Sequence, residues 1–322
     1  VTQAVRFRRL ALIGTGLIGS SIARAARAQR LVGTIAATAR TAATRRRVIE
    51  LGFADQVFDS NAAAAEGADL VIACVPVGQC AAVAREIAPH LKDGAVLSDV
   101  GSVKEQVVHD MGPHLPAGIH FIPAHPVAGT EYSGPDAGFA ELFINRWCIL
   151  TPPAGTDAAA VARLSAFWSG LGAKVAVMSP EHHDLVLAIT SHVPHLIAYS
   201  IVGTADDLAT VTRSEVLQYS AGGFRDFTRI AASDPTMWRD IFLANKTGVL
   251  EMLDRFNRDL AKLVRAIEEA DGDTLFDLFT RTRAIRRGII DIGQDSAAPD
   301  FGRPHPSLPP AAIPRPYASE DD

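Results

Sequence analysis

Apolar residues in the first half of the chain gather in short unbroken runs, at 10–14, 33–38, 70–75, 95–100, 119–123, 147–151 and 174–178. Unbroken runs fit strands that are covered on both faces. Alanine-rich stretches of helical character separate several of them, at 18–29, 42–51, 79–91, 103–111 and 157–170. This alternation predicts parallel strands joined by crossover helices. From Ser179 the pattern changes to long helical stretches. Over 234–270, Trp238, Ile241, Phe242, Val249, Leu250, Leu253, Phe256, Leu260 and Leu263 recur at helical spacing. The reading is an α/β protein: a parallel-sheet domain over 1–178, then an all-helical domain over 179–294. The wide apolar faces of those helices predict a homodimer. Over 295–322 prolines crowd in, predicting an extended or disordered tail.

One stretch resembles a membrane span. Residues 185–205 contain no Asp, Glu, Lys or Arg, and their length suffices to cross a bilayer. They also carry Thr190, Ser191, His192, Pro194, His195, Tyr199 and Ser200, between the acids Asp184 and Asp206. Basic anchors are missing, so the reading is a buried bundle helix with a polar face. The formal net charge of −5 offers no positive field for nucleic acid or an anionic membrane. An anionic small molecule would have to be held by a few placed arginines. The three cysteines, Cys74, Cys80 and Cys148, form no CxxC pair, which suits a reduced cytoplasmic setting. Arg6, Arg8 and Arg9 precede an apolar run cut by glycines, read as a first strand and not a signal peptide.

Residues 10–21 read LALIGTGLIGSS, with Gly14, Gly16 and Gly19 in GxGxxG spacing after a strand and opening a helix. That context predicts a Rossmann dinucleotide site. Gly14 would allow the tight turn, Gly16 the approach of a pyrophosphate, and Gly19 close helix packing. The helix N-terminus at Leu17 and Ile18 would face the phosphates. An NAD site usually places an acid at the end of the second strand. No acid lies between Gly33 and Ile49, whereas Arg40 follows the strand and Arg45, Arg46 and Arg47 come soon after. Arg40 could pair with a 2′-phosphate and Thr41 could donate to it, so NADP is favoured over NAD. The alternative is a solvated arginine face, with the ribose held by backbone and Thr38. Val75 and Pro76, at the next clear strand end, would adjoin the nicotinamide ribose, or Pro76 simply ends the strand.

Polar residues collect where open α/β sheets bind ligands. The motifs are DVGSVK (99–104), HPVAGTE (125–131), SHVPH (191–195) and GGFRDFTR (222–229). In this order they resemble the prephenate/arogenate (cyclohexadienyl) dehydrogenase family, over roughly 9–294. The resemblance implies oxidative decarboxylation of prephenate, and of arogenate, in tyrosine biosynthesis. It assigns the substrate hydroxyl to His125, whose neutral imidazole suits a proton acceptor near neutral pH. It sets Ser102 beside His125 and the nicotinamide; Ser102 also reads as the N-cap of a helix beginning at Val103. It gives the ring carboxylate to Arg229, a guanidinium fork suited to that group. Ser191 and His195 would hold the substrate side chain, with Thr130, Glu131 and Gly222 as further contacts and His192 as cap or buttress. His183 would act as a gate with Glu131. Trp238 would either wall the site, even from a partner subunit, or fill the core. No metal is expected, because the pair His192 and His195 has no third ligand in the sequence. A mutase segment before residue 10 and a regulatory module after Gln294 are not expected, so tyrosine would inhibit at the active site. Three other readings stay open: a β-hydroxyacid dehydrogenase, for which Lys246 is the candidate lysine, a nicotinamide-sensing protein without turnover, and a structural oligomer with a vestigial site, against which the intact motif set argues.

Overall fold

The computed structural model describes residues 6–130, 132–207 and 222–291, apart from the side chains of 289–291. Six strands form one parallel sheet: β1 (Phe7–Ile13), β2 (Val32–Thr38), β3 (Gln56–Phe58), β4 (Leu70–Ala73), β5 (Val96–Asp99) and β6 (His120–Phe121). Their order is β3-β2-β1-β4-β5-β6, so the winding reverses between β1 and β4. Helices α1 (Leu17–Ala28), α2 (Ala42–Leu51), α3 (Asn61–Ala65), α4 (Cys80–Ile87) and α5 (Glu105–Met111) make the crossovers. The period-two alternation of a strand divides β1 between two cores. Leu10 and Leu12 pack with Ile22 and Ala26 of α1 and with Leu164, Phe167 and Trp168 of α6 (Ala158–Gly170). Ala11 and Ile13 pack on the other face with Val83, Ala84 and Ile87 of α4 and Val107 and Met111 of α5.

A second sheet orders β7 (Ala124–Pro126), β8 (Trp147–Leu150) and β9 (Lys174–Val177). Here the all-parallel expectation fails: β7 and β8 are antiparallel. The expected single strand over 119–123 ends at Phe121, and the chain leaves the first sheet through Pro123, which has no N–H for a ladder. β7 then pairs with β8 from Ala124 to Pro126. The short edge strand β3 was not anticipated, since Gln56-Val57-Phe58 is too brief for a period.

Ser179 caps α7 (Pro180–Leu187), accepting from the His182 amide at 3.2 Å, with Pro180 in the first turn. A π-turn, Ala188–His192, joins α7 to α8 (Val193–Asp207). Pro194 supplies no N–H to this stretch, and missing i→i−4 bonds favour such irregular turns. The path Pro180–Asp207 is long and apolar enough to cross a membrane by length and composition, with mean hydropathy 1.6. The expected burial is not met: only 28% of its apolar window is buried. Its inner face carries His183, Asp184 and His192, all buried, while Ile189, Ile201 and Val202 are exposed. Beyond it come α9 (Gly222–Thr228), α10 (Pro235–Ala244), α11 (Lys246–Glu268) and α12 (Gly272–Asp291). Trp238 and Ile241 of α10 join the core on the α4–α5 face. The chain forms two compact units, one ending at Arg258 and one starting at Asp259.

Candidate active site

The glycine loop leaves β1 at Gly14, whose φ of +101° suits glycine. A Cβ there would lie 2.4 Å from the Cys74 carbonyl oxygen, and one at Gly19 would lie 2.2 Å from that of Gly14. These two glycines thus clamp α1 against the ends of β1 and β4. A Cβ at Gly16 would meet nothing within 4 Å. Gly16 caps α1 without a side-chain bond, and the first turn, with half-buried Leu17 and Ile18, contains no acid. An open loop beneath uncapped helix amides fits a dinucleotide pyrophosphate. Val75 is half-buried, and Pro76 is exposed at the start of the 3₁₀ turn Val77–Gln79.

At the end of β2, Arg45 Nη1 donates to the carbonyls of Ala39 (2.8 Å) and Arg40 (3.3 Å). Arg47 pairs with Asp136 and Glu50. Thr41 Oγ1 caps α2, accepting from Thr44 N at 3.0 Å. Arg40 and Arg46 are exposed and form no ion pair among the described residues. In the predicted basic cluster Arg45 is thus held by the backbone of the corner, Arg47 is exposed but engaged by two carboxylates, and Arg40 and Arg46 face solvent without an ion pair among the described residues.

The densest polar cluster forms where β5 and β7 end. Lys104 and Asp99 are fully buried. Lys104 Nζ donates to both Asp99 oxygens (2.8 and 2.6 Å) and to the Ala124 carbonyl (2.7 Å). Asp99 also accepts from the amides of Gly101 (2.7 Å) and Ala124 (3.1 Å). A buried ion pair with its remaining valences filled is the form in which burial is tolerable. The pair ties β5, its following loop and β7 together and so holds His125, which is 7% exposed. His125 Nδ1 lies 2.8 Å from His183 Nε2, and His183 Nδ1 lies 2.7 Å from Asp184 Oδ1. Burial, then the neighbouring His183, Lys104 and His192, hold His125 well below the usual histidine range. Its neutral form, the one that accepts a proton, is thereby favoured.

Two expectations are corrected here. His183 is no gate: it is fully buried and bonded on both ring nitrogens. Ser102 does not cap a helix at Val103: α5 begins at Glu105. Asp184 instead takes the amides of Lys104 (2.7 Å) and Glu105 (3.0 Å). Ser102 is half-buried, with its backbone against His192. His192 buttresses the site from a buried position, 3.1 Å from Asn245 Nδ2, which also donates to the Asp184 carbonyl at 2.7 Å. Its proton affinity is pushed down to about 4, chiefly by burial.

His195 donates from Nδ1 to the Ser191 carbonyl at 2.8 Å and stacks on Trp238 at 3.6 Å and 23°. Trp238 is 6% exposed and also meets His192 and Phe242, so this chain's own core holds it. Burial and the nearby Arg229 lower the proton affinity of His195. Arg229 is half-buried, in the 3₁₀ turn Arg229–Ala232, and Ser191 sits in the π-turn. Thr130, beyond β7, accepts from Tyr132 N at 3.2 Å. Gly222 starts α9, where a Cβ would make only ordinary contacts. Glu131 lies outside the described residues. Lys246 is exposed at the start of α11. Sequence reasoning assigned no role to Asp99, Lys104, Asp184 or Asn245. The first two carried a signal in the acid and lysine that bracket DVGSVK, and Asp184 in its place beside His183; Asn245 carried none.

Two family models match the chain: prephenate dehydrogenase, nucleotide-binding domain, over residues 22–177, and prephenate dehydrogenase, dimerization domain, over residues 179–281. The chain is 45% identical over 283 residues to a cyclohexadienyl dehydrogenase of Zymomonas mobilis, covering 88% of this chain and 96% of that protein. It is 36% identical to a prephenate dehydrogenase of Bacillus subtilis, covering 90% and 78%. Among solved structures, prephenate dehydrogenase from Aquifex aeolicus in complex with hydroxyphenyl propionate and NAD+ matches with TM-score 0.81 and 32% identity, covering 88% and 98%. Two matched domains in sequence, on a fold with this loop and this histidine cluster, establish that the chain belongs to the prephenate dehydrogenase family.

Proposed function

We propose that the protein oxidatively decarboxylates prephenate, and arogenate more slowly, in tyrosine biosynthesis, with NADP preferred over NAD. The observation that carries this reading is His125: buried, held neutral, and anchored through Nδ1 at the carboxyl end of the sheet. The Gly14–Gly19 loop and the first turn of α1 would hold the cofactor, whose nicotinamide supplies a hydride acceptor. His125 takes the C4 hydroxyl proton through Nε2, so that oxygen can form its carbonyl as hydride leaves C4. Arg229 holds the C1 carboxylate until CO2 departs, and Ser102 steadies the hydroxyl. His195, kept in place by the Ser191 carbonyl and the Trp238 ring, receives the substrate side chain with Ser191, Thr130, Glu131 and Gly222. Arg40, at the end of β2 with no acid near it in sequence, supports the 2′-phosphate reading. The three cysteines are free thiols, which supports a cytoplasmic setting, and the apolar exposure of the helices supports a homodimer.

Initial rates on prephenate and arogenate, each with NAD and NADP, test the proposal. Prephenate with NADP is expected to give the highest kcat/KM. His125→Ala is expected to lower kcat by roughly 10²–10⁴-fold, the usual contribution of a positioned acid–base group. A folded, nucleotide-binding protein that turns over neither substrate would sink the reading.

A further inference from the structure

The proposed reaction borrows a proton. The C4 hydroxyl loses it as hydride leaves, and the phenol oxygen regains it once CO2 has gone. Behind His125 stand two side chains suited to hold it. His183 and Asp184 are sealed from solvent, 0% and 2% exposed. They continue a line of short contacts: His125 Nδ1 to His183 Nε2 at 2.8 Å, then His183 Nδ1 to Asp184 Oδ1 at 2.7 Å.

The far end of that line sets its direction. An ionised carboxylate only accepts, and Asp184 already accepts from the amides of Lys104 and Glu105. It therefore draws the His183 proton onto Nδ1. His183 Nε2 is left as an acceptor, so His125 donates to it from Nδ1. The lone pair of His125 then sits on Nε2, the nitrogen away from His183.

We infer that His183 and Asp184 are positioning residues that hold the borrowed proton through His125, an inference that rests on the dehydrogenase reading above. The hydroxyl proton passes to His125 Nε2 as the Nδ1 proton passes to His183 Nε2. His125 ends neutral in its other tautomer, and His183 ends as an imidazolium against the Asp184 carboxylate. With a nicotinamide bound in the Gly14–Gly19 loop to accept it, the electron pair of the C4–H bond would leave as hydride, and the pair of the C1–CO2 bond would enter the ring. The reverse shuttle then returns the proton to the phenol oxygen. The surrounding charges favour His183 as the holder. Burial lowers the proton affinity of both rings, but His125 faces His183, Lys104 and His192, with no acid among them, whereas His183 faces Asp184 and Asp99 besides Lys104.

His183→Gln tests this directly. The amide oxygen can still accept from His125 Nδ1 but cannot take the proton. Expected is a kcat lowered roughly 10–100-fold, with KM for prephenate within about threefold, the split of an interaction made in the transition state. Rates in mixed H2O and D2O are expected to bow with deuterium fraction in the wild type, where two protons move, and to run straight in the variant. Asp184→Asn is the second variant. Its amide N–H would turn His183 round and so protonate His125 on the reacting nitrogen. The expected kcat loss is larger, on the order of 10⁴ by analogy with wrong-tautomer triads. Asp184 also holds the start of α5, so nucleotide affinity and thermal melting accompany the kinetics; if Asp184→Asn does not fold, His183→Gln decides. Wild-type turnover with His183→Gln within about twofold of it, or with a bowed isotope curve retained in that variant, overturns the relay alone. A wild type that turns over neither substrate overturns the relay and the dehydrogenase reading together.

Discussion

His192 illustrates how single residues carry both fold and chemistry. It lies buried between Asn245, the Ser102 backbone and the Trp238 ring. Its folded-state proton affinity lies near 4, against 6.5 for an ordinary histidine. Between those values the unfolded chain binds more protons than the folded one. The contribution of His192 is therefore complete above about pH 6.5 and is lost as pH falls toward about 4. His125, His183 and His195 are shifted in the same direction, each chiefly by burial. The urea midpoint is thus expected to fall steadily from about pH 7 to about pH 4, with a shallower slope in His192→Gln. An unchanged slope would show that His192 titrates normally in the folded protein.

On the proposed reading, cofactor choice turns on one element, the β2–α2 corner. Thr41 is committed to capping α2, Arg45 to the carbonyls of the corner, and Arg47 to Asp136. Arg40 and Arg46 are exposed and form no ion pair among the described residues, and Arg40 directly follows the strand. A charge-assisted hydrogen bond contributes about 1.5–3 kcal/mol. Arg40→Asp is therefore expected to shift the NADP/NAD ratio of kcat/KM toward NAD by roughly 10–100-fold. Parallel nucleotide titrations would locate the change in binding. An unaltered ratio would assign Arg40 to the solvated face.

At the scale of the whole molecule, much apolar surface stays outside the chain's own cores. Leu250, Val264 and Ile267 on α11, and Phe276, Phe279 and Ile285 on α12, are all exposed. So are Ile189, Ile201 and Val202 on the π-turn and α8. Large exposed apolar area on a folded chain marks an interaction surface. Light scattering is expected to give the mass of two chains for the wild type, and of one for the double variant Phe276→Glu/Phe279→Glu. A single-chain mass for the wild type at every concentration would remove the homodimer.

Local rules alone yielded a good share of this protein. The sheet-and-crossover pattern, the bounds of α2, the glycine loop and the order of the motifs are legible because each depends on neighbours in sequence: hydrophobic period, turn chemistry, helix caps. His125, Arg229 and His195 were singled out through motif context, and their roles rest on the proposed reading. Other features needed the folded chain. Pro123 diverts the backbone so that β7 runs antiparallel to β8, a choice made by available ladder partners and not by the residues of 124–126. Lys104 had no role assigned from sequence and becomes part of a fully buried ion pair only because Asp99 and the Ala124 carbonyl converge on it. His183 and Asp184 become a line behind His125 because α7 packs against the loop preceding α5, 80 residues away in sequence, and against His125, 58 residues away. Long-range juxtaposition of this kind leaves no period in sequence, since burial and hydrogen-bond satisfaction are properties of the closed fold.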